Sequence, residues 1–463
     1  MQANTTVHSM KQEVLRLVAQ HAFAGDLDGT YESFPRQIIP GYRANFRCCV
    51  YKEREILKER VRLAMGQTPT ATTNPGSDVI FVIAAACEGC PINRFQVTEN
   101  CQGCLAHKCM EVCPKKAISR IGRKAHIDYD LCVECGRCAK ACPYNAIADL
   151  QRPCKRSCPV GAISMNEDRL ALIDESKCIE CGSCVRECPF GAVADRSFML
   201  PVIADILSGK PVYAVVAPAA EGQFGPKGTI GKLKNALVAL GFAGAYEVAL
   251  GADAVAKHEA EELAGVLARG GKMTTSCCPA FFNLIHKHYP KLTEFISHTT
   301  SPMNAISRYV KHLHEDGVTV FIGPCTAKKS EALRSDKPGD IDYVLTFDEI
   351  LAMLEAKGIV VEECEDAPQE ASIHAKRFAS SGGVAGAVIQ ALNERGSIQL
   401  PYEAGSTVTV LLDGDVRAEE YVSCAQCAGA AECRKALLLL QNGKLPETLV
   451  EGMVCEGGCV SGP

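Results

Sequence analysis

The chain carries 27 cysteines, and their spacing restricts what it can fold into more than any other feature. Most stand at CxxC or CxxxCP intervals, and the N-terminal stretch MQANTTVHSMKQEVLRLV lacks the basic region, apolar run and small-residue cleavage site of a secretory signal. The cytoplasm is therefore the expected location. A reducing compartment disfavours disulfides, so metal ligation explains these thiols better, with isolated Cys364 read as a buried, inert thiol. Between residues 87 and 195 the cysteines repeat. Cys101, Cys104, Cys109 and Cys113 precede Pro114 and Ala117-Ile118; Cys132, Cys135, Cys138 and Cys142 precede Pro143 and Ala146-Ile147. Cys154 and Cys158 precede Pro159 and Ala162-Ile163; Cys178, Cys181, Cys184 and Cys188 precede Pro189 and Ala192-Val193. The shared ending makes these four copies of one unit, the third reduced to two cysteines, with Cys87 and Cys90 standing ahead of the first.

The second and fourth copies read CxxCxxCxxxCP without deviation. This resembles the bacterial ferredoxin run, in which three cysteines bind one 4Fe4S cluster and the fourth binds its neighbour. Zinc sites need only four ligands from two knuckles and do not ask for that crossed cysteine before proline. The simplest pairing gives one cluster to Cys132, Cys135, Cys138 and Cys188, and another to Cys178, Cys181, Cys184 and Cys142. The first and third copies, with Cys87 and Cys90, supply thiols for a third and a fourth cluster, and their pairing stays open. Cys101, Cys104 and Cys109 could take Cys158, leaving Cys87, Cys90, Cys113 and Cys154; alternatively the first copy pairs with the fourth and the second with the third. At least two accessory 4Fe4S clusters are expected.

The flanks read differently. Val14, Leu15, Val18, Ile56, Leu57, Val61 and Leu63 have helical spacing, so residues 1–75 form a helical platform. Vicinal Cys48-Cys49 can serve one cluster at most and reads more simply as buried; the charges from Lys52 to Arg62 read as a solvated helix face, or a docking surface for an acidic electron carrier. Residues 68–78 form a turn-rich linker and Val79 to Ala86 a buried strand. A ferredoxin-like multi-cluster domain then occupies residues 76–200. From 201 to 463 the pattern is α/β: strands over 211–217, 245–250, 319–322 and 341–345, helices over 229–240 and 255–268, and cysteines at strand ends, where α/β folds place their ligands.

Three segments carry the chemistry: Thr275-Ser276-Cys277-Cys278-Pro279, Pro324-Cys325-Thr326-Ala327-Lys328-Lys329-Ser330-Glu331, and the glycine-rich tail EGMVCEGGCVSGP from Glu451. Together they resemble the signatures of FeFe hydrogenases, and with the ferredoxin-like repeats the resemblance covers nearly the whole chain. It implies an α/β catalytic domain of iron-only hydrogenase type, two lobes with parallel sheets around an active-site cluster, preceded by an α+β bacterial ferredoxin-like domain and a helical N-terminal region. The cofactor it implies is the H-cluster, a 4Fe4S cubane joined through one cysteine to a two-iron subsite bearing carbon monoxide, cyanide and a bridging dithiolate. By motif position the ligands are Cys278, Cys325, Cys455 and Cys459, with Cys459 bridging. Cys277 would exchange protons with the dithiolate amine, Lys328 would supply an ammonium to a cyanide, and Met453 would wall the subsite. Ala217, Pro218, Ser301 and the loop Ser380-Ser381-Gly382-Gly383 would line the pocket, and Glu259, Glu262 and Ser297 would relay protons outward.

Departures from the family pattern mark a divergent branch. Val266 stands where an arginine is usual, with Arg269 a candidate replacement; Ala280-Phe281 replaces Gly-Trp, Gly323 replaces a methionine, and the tail ends SGP. Cys424, Cys427 and Cys433 form CxxCx5C outside the signatures, either structural or a site completed by a distant cysteine such as Cys364. The resemblance implies reversible interconversion of dihydrogen with protons and electrons, a ferredoxin-like electron carrier, and maturation proteins to build the two-iron subsite. Two alternatives stay open. One is a hydrogen or redox sensor with the same cofactor, against which no signalling domain is visible. The other is an iron-sulfur scaffold without the two-iron subsite, a class that loses the cysteine pair and the lysine, whereas Cys277 and Lys328 are present here. A net charge of -5 and the lack of a long apolar run give no pull toward nucleic acid or membrane.

Overall fold

In each cysteine repeat the alanine after CPxx or CPxG is buried, and its N–H donates back to the sulfur of the cysteine before proline. The four bonds, from Ala117 to Cys113, Ala146 to Cys142, Ala162 to Cys158 and Ala192 to Cys188, span 3.2 to 3.3 Å. The next residue then opens a strand. In this computed structural model, which describes residues 6–335, 337–401, 406–412 and 416–462, the cysteine-rich region holds short strands β1 (Ile80–Val82), β2 (Phe95–Val97), β3 (Ile118–Ile121), β4 (Lys124–Ile127), β5 (Ile147–Asp149), β6 (Ile163–Met165), β7 (Ala171–Ile173) and β8 (Val193–Asp195). Residues 1–5 of the N-terminal stretch and Pro463 of the tail lie outside the described residues.

The pairing of these strands groups the repeats two by two. β2 pairs with β5 and β3 with β4, all antiparallel, so the first and second copies make one module. β1 pairs with β8 and β6 with β7, so the third and fourth make another. This overturns the simplest ligand pairing read from the sequence, which crossed between the second and fourth copies, and both of its alternatives. A crossed cysteine reaches the copy whose strand its own copy pairs with, and Cys142 and Cys188 lie in different modules. The expected strand from Val79 to Ala86 is also shorter. After Val82 the chain winds into the turn Ala84–Cys87, where the Cys87 N–H bonds the Ile83 carbonyl and brings the thiol inward.

The α/β part contributes β9 (Val212–Val216), β10 (Gly244–Glu247), β11 (Met273–Thr274), β12 (Val318–Ile322), β13 (Tyr343–Leu345), the hairpin β14 (Ser397–Pro401) and β15 (Thr407–Leu411), then β16 (Cys424–Ala428) and β17 (Leu449–Met453). They build a parallel sheet in the order β10-β9-β12-β13 and a second parallel sheet, β11-β17-β16. The expected strand 245–250 stops at Glu247 because Val248 starts a 20-residue helix, Val248–Leu267, that packs between the two sheets' helices.

The N-terminal helices have no separate core. Val14, Leu15 and Val18 of helix Thr6–Ala24 and Leu57 and Val61 of helix Val50–Ala64 share one apolar cluster with Leu233, Val320 and Ile350 of the four-stranded lobe. Ile56 and Leu63 of the second helix pack instead on the module of β1 and β8. Its charged face is not uniformly solvated as expected. Glu53 is fully buried and gathers the N–H groups of Asn45, Phe46 and Arg47, while Arg60 is buried and donates to the Gly191 carbonyl at 2.6 Å. Because Glu53 folds the loop back over the helix start, Cys48 and Cys49 are pushed to its outer edge and are exposed rather than buried.

A buried ion network ties these parts together. Lys329 is fully buried and bridges Asp195 at 2.8 Å, at the end of β8, to Glu349 at 2.9 Å in the α/β lobe; Lys11 reaches Asp195 from the first helix at 3.6 Å. Against the cost of burial, these two ammonium groups hold Asp195 well below the usual carboxylate range. Its contribution is therefore full above the unfolded carboxylate value of about 4 and is lost as the solution is acidified below it. Lys329→Ala leaves buried Glu349 without its cation and Asp195 with only the more distant Lys11, so equilibrium denaturation should show a loss of about 3–5 kcal/mol. Lys11→Ala, at a side chain 30% exposed, should lose about 1 kcal/mol or less.

Candidate active-site metal centre

The C-terminal ends of the parallel strands point at one cavity of about 100 Å³. β9 ends at Ala217-Pro218 and β12 runs through Gly323-Pro324 to Cys325, which caps helix Thr326–Arg334. β11 leads to Cys277 and Cys278, the latter capping helix Pro279–His288, and β17 leads through Met453 to Cys455 and Cys459. Ala217, Pro218, Cys277, Cys278, Cys325, Lys328, Met453, Cys455 and Cys459 all line this cavity, beside Cys181 of the ferredoxin-like region. Strand ends free their backbone for loops, and helix starts turn N–H groups toward the same space, which favours negative charge there.

The thiols fit a metal cluster. Burial, with Cys278 as a close neighbour, pushes the Cys325 and Cys459 thiols up to about 12, and Cys455 higher. Left alone, such groups stay protonated; metal coordination deprotonates them outright. The glycines of the tail make the approach possible. Gly458 has φ +94°, and a Cβ there would lie 2.5 Å from the Ala379 carbonyl oxygen. Gly323 accounts for its own departure from the family pattern: a side chain there would meet the Phe321 ring at 2.4 Å, and Phe321 itself lines the cavity.

Cys277 is half-buried beside Cys278, and desolvation followed by the neighbouring Glu259 carboxylate pushes its thiol well up. Lys328 Nζ donates to the Cys277 carbonyl at 3.3 Å and pairs with Glu331 at 2.7 Å. Against burial, which disfavours charge, Glu331 holds that ammonium above its ordinary range. Ser301 does not reach the cavity wall; its Oγ donates to Glu331 at 2.5 Å and braces the pair from behind.

Glu259 is fully buried, and burial pushes its carboxyl up to about 7. The Ser276 backbone and Ser297 stand beside it, yet among the described residues neither of its oxygens has a hydrogen-bond partner. Ser297 Oγ donates to Glu262 at 2.7 Å, and Glu262, half-buried, accepts the N–H of exposed His298 at 3.0 Å. The three residues form a line from Cys277 to the surface.

The accessory thiols also gather. Cys113, Cys132, Cys135 and Cys138 line one cavity, and Cys109 has Cys104 and Cys142 as neighbours, with Cys101 accepting the Ala125 N–H at 3.4 Å. Cys184 is surrounded by Cys181, Cys178 and Cys158. Cys87, Cys90, Cys154 and Cys188 lie together beyond them. In the CxxCx5C set Cys427 neighbours both Cys424 and Cys433, while Cys364 packs on a separate apolar core. Among the described residues no three His, Cys, Asp or Glu side chains converge on a single metal ion.

The family description "Iron only hydrogenase large subunit, C-terminal domain" matches residues 210–463, more than half of the chain. The chain belongs to the iron-only hydrogenase family. A 4Fe-4S binding domain description matches residues 125–148 and 171–194, the second and fourth repeats. The chain is 28% identical over 288 residues to iron hydrogenase 1 of Clostridium pasteurianum, covering 55% of this chain and 50% of that one. It is 30% identical over 282 residues to the periplasmic [Fe] hydrogenase large subunit of Nitratidesulfovibrio vulgaris, covering 54% and 67%. It is also 27% identical over 218 residues to cytosolic iron-sulfur assembly component 3 of Bos taurus, covering 41% and 46%. The aligned part thus spans half the length of the first relative and two thirds of the second. No helix among the described residues is long and apolar enough to cross a membrane.

Sequence reasoning missed several residues. Met303, Phe321, Phe378 and Ala379 line the cavity, and Glu451 is buried and accepts the N–H groups of Gly382 and Ala385, holding the Ser380–Gly383 loop against the tail. Glu331 stood in the second segment without a role. Its position three after Lys328 was the available signal, since a buried lysine needs a partner one helical turn away. Gly458→Ala should block seating of the tail, and anaerobic reconstitution should then retain fewer iron atoms at the Cys455-Cys459 centre than wild type, read by iron content and cubane absorbance.

Proposed function

We propose that the protein is an FeFe hydrogenase that interconverts dihydrogen with two protons and two electrons, in the cytoplasm, exchanging electrons with a ferredoxin-like carrier. Residues 201–463 act as the catalytic part, 76–200 as the electron relay, and 1–75 as the platform that joins them. The observation that carries this reading is the pairing of Cys277 and Lys328 at one wall of the thiol-lined cavity. A scaffold that only stored a cubane would need neither.

Cys278, Cys325, Cys455 and Cys459 would hold the H-cluster, assembled with the help of maturation proteins. When bound, its two-iron subsite supplies the metal at which dihydrogen is made or split and the base that exchanges the proton. Lys328, kept charged by Glu331, orients the cavity's positive side. Phe321, Met303 and Met453 exclude water from it, which strengthens each charge interaction inside. Cys277 Sγ remains a thiol and holds a transferable proton, and Glu259, with a value near working pH, receives or returns it. Ser297 Oγ and Glu262 pass it toward His298 and solvent. Electrons enter through Cys181, the ferredoxin-like thiol on the cavity wall. Glu180 beside it is clamped by Asn283 at 3.0 Å and Ser330 at 2.5 Å, from the helices that begin at Cys278 and Cys325.

The iron-sulfur assembly relative keeps one other reading in play, a scaffold role without dihydrogen turnover, and variants separate the two. Cys277→Ala should retain wild-type iron content yet lower hydrogen evolution from a reduced dye by roughly 10² to 10⁴. Cys278→Ala should lose the cubane itself. If Cys277→Ala keeps full activity, its relay role is wrong. Infrared difference spectroscopy should find a Glu259 carboxyl that is protonated below about 7 and ionises above it, a signal missing in Glu259→Gln.

A further inference from the structure

The third repeat has two cysteines where its partners have four, and the structure shows what replaces the missing pair. In the first module the Thr98 N–H bonds the Ala146 carbonyl, the Cys101 N–H bonds the Thr98 carbonyl, and the Ala125 N–H of β4 donates to Cys101 Sγ at 3.4 Å. In the second module the same three bonds run through Ile83: its N–H bonds the Ala192 carbonyl, the Cys87 N–H bonds the Ile83 carbonyl, and the Ala171 N–H of β7 donates to Cys87 Sγ at 3.3 Å. Ala125 and Ala171 each stand two residues before the strand position paired with the first residue of the repeat's hairpin, Ile127 to Ile118 and Ile173 to Ile163. Cys87 therefore holds the place of Cys101, and the CxxC interval gives Cys90 the place of Cys104.

The chain between them explains the gap. β2 and β5 pair Phe95 with Asp149, so the first module enters and leaves at one point, between Cys90 and Cys154. One ferredoxin module is thus inserted between the second and third cysteines of another, as inserted units with adjacent ends are. The surroundings of the four thiols call for an anion. Arg152, 8% exposed, points Nη1 at Cys87 Sγ at 3.8 Å. Arg60, 6% exposed, lies beside Cys188, and Arg47 packs on Phe190; among the described residues the Nε of each has no hydrogen-bond partner.

We propose that Cys87, Cys90, Cys154 and Cys188 bind a 4Fe4S cluster assembled from both sides of the inserted module. Cys154 and Cys158 share the helix Pro153–Ser157 and its end, so this cluster adjoins the one at Cys158, Cys178, Cys181 and Cys184 and stands where the inserted module is tethered. The surrounding arginines favour its reduced, more negative state and raise its potential relative to an equivalent site without them. The assignment is independent of dihydrogen chemistry and survives if the scaffold reading is the right one.

The test uses the full chain produced without maturation proteins and loaded anaerobically with iron and sulfide. Native mass spectrometry of wild type should find five cubanes, roughly 20 iron atoms; a maximum of four cubanes overturns the proposal. The double variant Cys87→Ser, Cys90→Ser should lose about four iron atoms and one reduced-cluster paramagnetic resonance signal; full iron retention overturns it. Arg152→Gln should keep the iron count and shift one signal's midpoint to lower potential, and unchanged midpoints for every signal also count against the assignment.

Discussion

Cysteines spaced for cluster ligation stand where a larger protein would have an apolar core, and the rest of this structure depends on that substitution. The module between β2 and β5 buries a small cluster of Phe95, Ile118, Ile127, Cys138 and Ile147, with cysteines packed around it. A unit of that size cannot bury enough apolar surface to offset the entropy of ordering, so ligation supplies the difference. The repeated alanine N–H bonds to sulfur follow from the same need. Each gives a cysteine sulfur a donor, and the alanine that supplies it is buried in all four copies, where a larger side chain has no room.

Negative clusters then require cations, and the cations join the parts of the chain. Arg60 reaches from a platform helix to Gly191 beside Cys188. Lys329 lies one residue from Lys328 on the helix that starts at Cys325, yet it faces the other way, to Asp195 at the end of the relay. One helix therefore presents Lys328 to the cavity and Lys329 to the domain junction. Glu180, clamped by residues of two helices that begin at candidate ligands, fixes the relay against the cavity in the same manner. In the proposed function electrons pass by way of Cys181 and protons by way of Glu259.

The three segments that meet at the cavity were legible in the sequence, because short runs that combine glycines and thiols at fixed spacing have few other uses. The α/β order was legible from apolar runs ending at cysteines. Pairing of the accessory cysteines was not, because identical CP endings carry no record of which strands meet; that depends on β1 and β2, which are three residues each and precede their modules. Nor could the sequence show that Glu53, Glu59 and Arg60 turn inward from a helix that reads as a charged surface. Their burial depends on tertiary partners such as Gly191 and the loop before Cys48. Met303 and Phe321 belong to ordinary apolar patterns and become cavity walls only once two sheets meet.

The central claim is that the cavity holds a working two-iron subsite, and infrared spectroscopy of the anaerobically matured protein tests it most directly. The account predicts carbon monoxide and cyanide bands, together with hydrogen evolution from a reduced dye. Absence of those bands from protein carrying its full complement of cubanes, matured alongside a hydrogenase that does show them, would contradict it.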